Sequence, residues 1–509
     1  MYDVVVIGGG PAGLTAGYLL SGEGSGEGSG EGKRVLVLES DSRYVGGISR
    51  TVEHEGFRFD IGGHRFFSKS LEVENFWTEI LGDELMERPR LSRIFYKGQY
   101  YSYPLRAGEA LQKLGLVEST LCVTSYGWAK FFPHPEPKTF ADWVSNHFGK
   151  RLYEMFFRTY TEKVWGIPCD EISADWAAQR IKGLSLSSAI RNALSNALNG
   201  GNQPPEGERS QVVKSLIASF RYPRLGPGML WERCAEKMVA RGGQIKMGMK
   251  VTGLVRDQDT GRWTVRTEGE RCESFECADV ISSMPIRDLS QALGPSMSST
   301  ASSAAGALGY RDFLTVALML PDTRHLADNW IYIHDPGVKV GRIQNFKAWS
   351  PYMVPDPKLA CYGLEYFCFE GDGLWNSPDS ELIELAKKEL GQIGLADPDE
   401  ITGGVVVRQA KAYPVYDGAY ATHIETVREE IAQRFPNLHL VGRNGMHKYN
   451  NQDHSMMTAM LTVKNILAGE ILYDVWNVNQ DAEYHEEHGT SGLRTVPQKL
   501  RDCAPSSRL

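Results

Sequence analysis

A run of apolar, β-branched residues, Val4-Val5-Val6-Ile7, stops at Gly8-Gly9-Gly10-Pro11-Ala12-Gly13, and a helical pattern from Leu14 to Leu20 begins at once. This strand, tight turn and helix constrain the fold more than any other feature of the chain. In Gly8-x-Gly10-x-x-Gly13, Gly8 allows the sharp turn, Gly10 lets a pyrophosphate approach the backbone, and Gly13 lets helix and strand pack closely. The N-terminus of that helix turns the positive end of its dipole toward the phosphates. A second strand, residues 35–38, ends at Glu39, where a carboxylate would accept ribose hydroxyls. An acid at that place disfavours a 2′-phosphate, so the unit reads as a site for NAD or FAD rather than NADP. Residues 21–32, three copies of Ser-Gly-Glu-Gly, are too polar and flexible to pack and read as a solvent loop without a catalytic part.

At 509 residues the chain exceeds one ordinary core, so two or three packed units are expected. Its net charge of −8 argues against a phosphate-backbone partner, which requires clustered Lys and Arg in excess, so no nucleic acid is expected. Eight cysteines occur without a CxxC pair or metal-ligand spacing, which reads as reduced thiols and no metal site. The chain shows neither an apolar run long enough to span a membrane nor a signal-peptide pattern, so a cytoplasmic location is expected.

Spacings of three and four among Phe140, Trp143, Val144 and Phe148, then Tyr153, Phe156, Phe157 and Tyr160, predict helix from Thr139 to about Ile217. Thr139 with Asp142 resembles a capping box, and the stripe from Tyr153 to Tyr160 reads as core. Residues 310–420 alternate apolar and polar in the manner of an antiparallel sheet, with one helix near 380–393. Residues 438–441 read as a strand, and 455–472 as a helix returning to the first unit. The expected fold is α/β: a Rossmann-type FAD-binding domain with a helical insertion and an antiparallel-sheet substrate domain. Residues 1–85, 215–290 and 430–509 would form the first, 105–214 the second, and 86–104 with 291–429 the third.

The stretches Gly46-Gly47-Ile48-Ser49-Arg50 and Phe59-Asp60-Ile61-Gly62-Gly63-His64 resemble the second signature of the FAD-dependent amine-oxidase superfamily. There, paired glycines let backbone amides approach the pyrophosphate and the flavin ring. Within that superfamily the chain is similar to the UDP-galactopyranose mutases, especially the longer eukaryotic type, over nearly its whole length. Besides residues 59–64, the likeness is carried by Tyr101-Ser-Tyr103-Pro104, by Lys163-Val-Trp165-Gly-Ile-Pro168 followed by Trp176 and Arg180, and by Gly341-Arg342-Ile through Ser350-Pro351-Tyr352. The last block is Gly442-Arg443 through Tyr449 and Asn451-Gln452-Asp453-His454-Ser455, which opens the terminal helix.

The resemblance implies a reaction without net redox, in which N5 of reduced, non-covalently held FAD attacks the anomeric carbon of a nucleotide sugar. The sugar then recloses through another hydroxyl, exchanging pyranose and furanose. It implies Arg180 and Arg342 on the departing diphosphate, Tyr413 and Tyr449 as phosphate-binding hydroxyls, and His64 near N5. Tyr103, Trp165 and Trp349 fall on the substrate side, although Trp165 and Trp176 read equally well as core aromatics. The cofactor would meet Gly8, Gly10, Pro11, Ala12, Gly13, Glu39, Gly46, Gly47, Ile48, Ser49, Gly62, Gly63, His64, Val251, Gly442, Arg443, Asn451, Gln452 and Asp453. NAD(P)H is implied as reductant, but no second dinucleotide fingerprint marks its place.

The chain departs from the eukaryotic mutases at Leu105-Arg106, where they carry an aromatic that stacks on uracil and then an amide side chain. It departs again at Trp349, where a tyrosine is expected, so FAD is better supported than the nucleotide and the nucleotide better than the sugar. One rival reading is an FAD-dependent oxidoreductase of the amine oxidase, protoporphyrinogen oxidase or desaturase type. The other is a flavin-bearing binding protein without catalysis.

Overall fold

The structure is a computed structural model that describes residues 1–22, 32–103, 105, 107–174, 219–269 and 272–479. Val4 and Val6 of the strand Tyr2–Ile7 pack on one face of a seven-stranded sheet, and Val5 and Ile7 on the other. A strand covered on both faces needs apolar side chains at every position, hence the continuous run. Val35–Leu38 and Ser274–Ser282 flank it in parallel, with Val4 opposite Val35 and Val6 opposite Ile281. The order is Lys250–Arg256, Trp263–Glu268, Ser274–Ser282, Tyr2–Ile7, Val35–Leu38, Gln244–Lys246, and Leu438–Leu440 pairs separately with Ser274–Ser282.

On the face of Val4 and Val6, the helix Pro11–Leu20 packs against Gly228–Ala240 and Gln452–Ala468. The terminal helix runs from Gln452 to Ala468, not over the predicted 455–472. Asn451 accepts the first turn's Ser455 N–H (2.9 Å), and Gly469, at φ +69°, ends the helix earlier than apolar spacing suggests. On the opposite face lie Ile286–Leu293, Ser299–Ala307 and Tyr420–Arg434.

The second sheet also has seven strands, ordered Gly403–Pro414, Tyr310–Pro321, Leu359–Cys368, Arg342–Asn345, Trp330–Ile333, Ser92–Tyr96, Gln99–Ser102. Its neighbours are antiparallel except Trp330–Ile333 with Ser92–Tyr96. The alternation predicted for residues 310–420 fails in Tyr310–Pro321 and Leu359–Cys368. Both are buried almost throughout, because the helix Asp379–Ile393 covers one face and residues 57–59 and 346–354 cover the other.

Within the unit expected over residues 105–214, helix begins before the Thr139 that apolar spacing predicts, with Ala107–Phe131. The segment is broken at Gly115, at φ +80°, and exposed Leu116, Trp128 and Phe131 obscure in the sequence the inward face formed by Ala110, Leu111, Leu114, Cys122 and Tyr126. Phe140–Phe148 has the expected cap: Asp142 N–H donates to Thr139 Oγ1 (3.1 Å), and the Asp142 carboxylate accepts the Thr139 N–H (3.2 Å). The predicted helical continuation through residues 175–217, with Trp176 and Arg180, lies outside the described residues, as does most of the Ser-Gly-Glu-Gly repeat. Among the described residues no helix is long and apolar enough to cross a membrane.

A Cβ on Gly13 would stand 1.8 Å from the Gly8 carbonyl oxygen, whereas one on Gly127, within Ala107–Phe131, would meet nothing within 4 Å. Gly13→Ala is therefore expected to cost more than about 3 kcal/mol, and Gly127→Ala to add about 0.5–1 kcal/mol, read as urea unfolding midpoints.

Candidate active site

Three loops meet above the carboxyl edge of the first sheet. Gly8, at φ +98°, turns the chain out of the first strand. The Gly46 N–H donates to Gly9 O (2.8 Å), and Gly47 lies so close that its Cβ would stand 3.4 Å from Gly10 Cα. From the third side comes Gly442, whose Cβ would be 3.1 Å from Ala12 Cβ and whose N–H donates to Thr458 Oγ1 (2.9 Å). The helix Pro11–Leu20 has no side-chain cap hydrogen bond at Gly10, so its first amides face the space between these glycines. A cradle of backbone N–H groups without side chains suits the pyrophosphate of a flavin dinucleotide.

Glu39 is buried, and its carboxylate accepts the Gly9 N–H (2.6 Å) and the Asp41 N–H (2.8 Å), so it braces the glycine turn from the place expected to meet ribose. Ser49 N–H donates to Gly46 O (2.9 Å), and Ile48 packs beside Ile61 and Phe313. Val251 lies in the core with Ile7, Leu36 and Leu38. Arg50, absent from the expected set, ties this loop to the second sheet: Nη1 donates to Gly47 O (3.0 Å) and to Gln409 Oε1 (2.8 Å).

Gly62, Gly63 and His64 lead from the cradle to the second sheet. A Cβ on Gly62 would lie 3.7 Å from both Arg342 Nη2 and His64 Cε1, so these expected residues are together. His64 Nδ1 is buried without a hydrogen-bond partner. Burial, and then the nearby Arg443 and Arg342 cations, push its pKa down to about 3. Arg342 donates from Nε (2.9 Å) and Nη2 (2.6 Å) to one oxygen of Glu365, a residue the sequence reading missed. Burial alone would lower the Arg342 pKa, but Glu365, with Tyr413 and Tyr160, raises it well above its usual value.

Tyr413 and Tyr449 stack with centroids 5.6 Å apart, and the Arg443 guanidinium lies 5.4 and 5.1 Å from their centroids. Arg443, expected to orient FAD, is held by Asn450 O (2.8 Å) and Ala412 O (3.1 Å). Trp165 approaches the tyrosine pair at 6.5 and 6.2 Å. Tyr103, 40% exposed, packs on Tyr332 (4.6 Å). Tyr160, read as core, instead meets Tyr332 edge-on (5.5 Å), stacks on His334 (4.7 Å) and lies near enough to Arg342 to perturb it.

Trp349, expected on the substrate side, is 2% exposed. Its indole N–H donates to Asn329 O (2.9 Å) and Gln344 Oε1 (3.0 Å), and its ring would lie 3.3 Å from a Cβ on Gly63. It stands behind Gly63 with its one polar atom already taken. Asn451 caps the terminal helix, where the Asn451 N–H approaches His454 Nδ1 (3.3 Å), and Gln452 and Asp453 are buried in the first turn.

Two further residues hold Trp165 in place, and neither was legible as functional. Lys163 Nζ donates to the carbonyls of Asp335 (2.6 Å), Val340 (3.2 Å) and Ile333 (3.3 Å), and burial pushes its pKa down to about 8. Arg311 donates to the carbonyls of Val164 (3.0 Å), Lys163 (3.2 Å) and Phe367 (3.0 Å), closing the carboxyl end of the helix Thr159–Trp165.

Burial also depresses His334 to about 3 and His447 to about 4. The unfolded chain binds protons on these three histidines below about pH 6.5 while the folded one excludes them. Asp60, raised by burial to about 7 despite hydrogen bonds from Tyr222 and Thr51, acts in the opposite sense between about pH 4 and 7. Asp312 and Glu232, also raised by burial, add to Asp60, but the three large histidine depressions outweigh them, so stability is expected to fall as pH drops from 6.5 to 4. Urea midpoints across that range should fall less in a His447→Gln variant.

The model of the family described as flavin containing amine oxidoreductase matches residues 11–451. A solved structure of reduced UDP-galactopyranose mutase is 22% identical, with a TM-score of 0.77 over 94% of this chain and 98% of that one. A "Putative protoporphyrinogen oxidase" from Exiguobacterium sp. 255-15 is 18% identical, with a TM-score of 0.67 over 92% of this chain and 99% of that one. A putrescine oxidase is 14% identical, with a TM-score of 0.56 over 92% and 99%. These likenesses extend over both sheets and establish the α/β architecture.

Proposed function

Because the chain belongs to the flavin-containing amine oxidoreductase family and so is an FAD-dependent enzyme, we propose that it is a nucleotide-sugar mutase, exchanging pyranose and furanose forms as UDP-galactopyranose mutase does. The observation that carries this reading is the polarity of the side chains around Gly62. Beyond Gly62 stand a half-buried guanidinium, Arg342, and a stacked tyrosine pair beneath a second half-buried one, Arg443. Oxidation of an apolar substrate has no use for half-buried cations at this place, whereas a departing diphosphate does.

Gly8, Gly10, Gly13, Gly46, Gly47 and Gly442 would hold the dinucleotide non-covalently, with Glu39 on the ribose side and Asn451, Gln452 and Asp453 opening the helix toward the ring. Bound reduced FAD supplies the nucleophile for exchange at the anomeric carbon. The chain's part is to bind, orient and stabilise charge. Arg342 takes the negative charge that grows on the leaving diphosphate, aided by Arg180, whose place rests on sequence likeness. Tyr413 and Tyr449 offer hydroxyls to its oxygens, and Tyr103 stands at the entrance on the nucleotide side. His64, kept neutral by burial and two cations, can offer one ring nitrogen as a hydrogen-bond acceptor without adding charge.

Dithionite-reduced enzyme given UDP-galactopyranose and other nucleotide sugars is expected to yield a pyranose–furanose mixture on anion-exchange chromatography, with no substrate oxidised. Arg342→Ala should lower turnover about a hundredfold or more, the usual loss when one charge-stabilising donor is removed, while flavin absorbance is retained. Stoichiometric oxygen uptake with an oxidised product would instead make the protein an oxidoreductase. Loss of flavin from Arg342→Ala would remove Arg342 from the substrate's side.

A further inference from the structure

Glu365 is fully buried, in a strand that is otherwise apolar from Tyr362 to Cys368 apart from Gly363. It faces Arg342 across the sheet. Oε2 accepts both Arg342 bonds, and Oε1 accepts the Gln344 amide N–H (2.9 Å). Gln344 Oε1 in turn accepts the Trp349 indole N–H (3.0 Å), which Asn329 O also takes (2.9 Å). The relay fits against Gly63, where a Cβ would be 2.9 Å from the Gln344 amide. Arg342 keeps 17% of its side chain open, and Nη1 makes no hydrogen bond to a described residue. For stability alone, apolar residues of the same volume would serve as well as a buried ion pair.

We propose that Glu365 is a positioning residue for Arg342, holding the guanidinium by one edge and offsetting its charge so that a bound diphosphate is released rather than trapped. The inference rests on Arg342 as the diphosphate's partner. The carboxylate repels an anion on the far edge of the guanidinium, so its removal strengthens that anion's binding by about tenfold at the effective dielectric of a partly buried site.

The test is calorimetric titration of the oxidised holoenzyme with UDP and with inorganic pyrophosphate, in wild type, Glu365→Gln and Gln344→Met. Glu365→Gln should bind both probes about tenfold tighter, with a lower kcat and unchanged flavin content. Gln344→Met, which keeps the charge but frees the carboxylate, should bind them more weakly. If Glu365→Gln does not retain FAD, Glu365→Met replaces it with the same expected sign, and loss of FAD from both makes the carboxylate a scaffold and overturns the proposal. Wild-type binding without tightening in the charge-free variant overturns this inference alone. A wild type that binds neither probe defeats the diphosphate reading, and this inference with it.

Discussion

The architecture depends on how closely the helix Pro11–Leu20 approaches the strand before it. Gly13 lies against the Gly8 carbonyl with no room for a Cβ, and that contact sets the angle at which the helix leaves the sheet. From it follow the free amides at the helix start, the meeting of Gly10 with Gly47, and the fit of Ala12 against Gly442. Each of these contacts joins a separate stretch of chain to the same point, so residues far apart in sequence become one cradle of backbone amides.

The second sheet is held to that cradle by polar contacts as well as apolar packing. Arg50 spans from Gly47 to Gln409 of that sheet, and beside it, outside the sheet, Asp60 draws Thr51 and Tyr222 together while Thr51 Oγ1 accepts the Gly228 N–H (3.0 Å). Gly62 and Gly63 then run against Arg342, Gln344 and Trp349. Arg342 and Tyr413 therefore stand on strands of that sheet, which limits how far Arg342 can drift from His64, while Arg443 and Tyr449 come from the turn that precedes the terminal helix.

Features that depend on local backbone requirements were legible in the sequence. The glycine turn, the second glycine pair and the Thr139–Asp142 cap each announce themselves within a few residues. The chamber residues were found only through likeness to a family, because no local pattern distinguishes Arg342 or Tyr413 from surface or core residues. Glu365 escaped notice although a lone acid in an apolar run is a usable signal; its meaning needs the cross-strand register with Arg342. Tyr160 falls on an aromatic stripe and was read as core, since periodicity reports that a face is covered and not what covers it. Lys163 and Arg311 act on carbonyls from 56 to 177 residues away, which sequence spacing cannot show.

The clamps on the helix Thr159–Trp165 carry a consequence for the solvent in which the enzyme can work. Lys163 and Arg311 are bound to neutral carbonyl dipoles, whereas pairs such as Arg34 with Asp3 join opposite charges at the surface. Dissolved ions screen attraction between exposed charges within a Debye length of about 8 Å at physiological strength, but they scarcely reach a buried cation resting on peptide oxygens. Brine would thus loosen the protein's periphery well before it undocked Trp165 from the tyrosine pair.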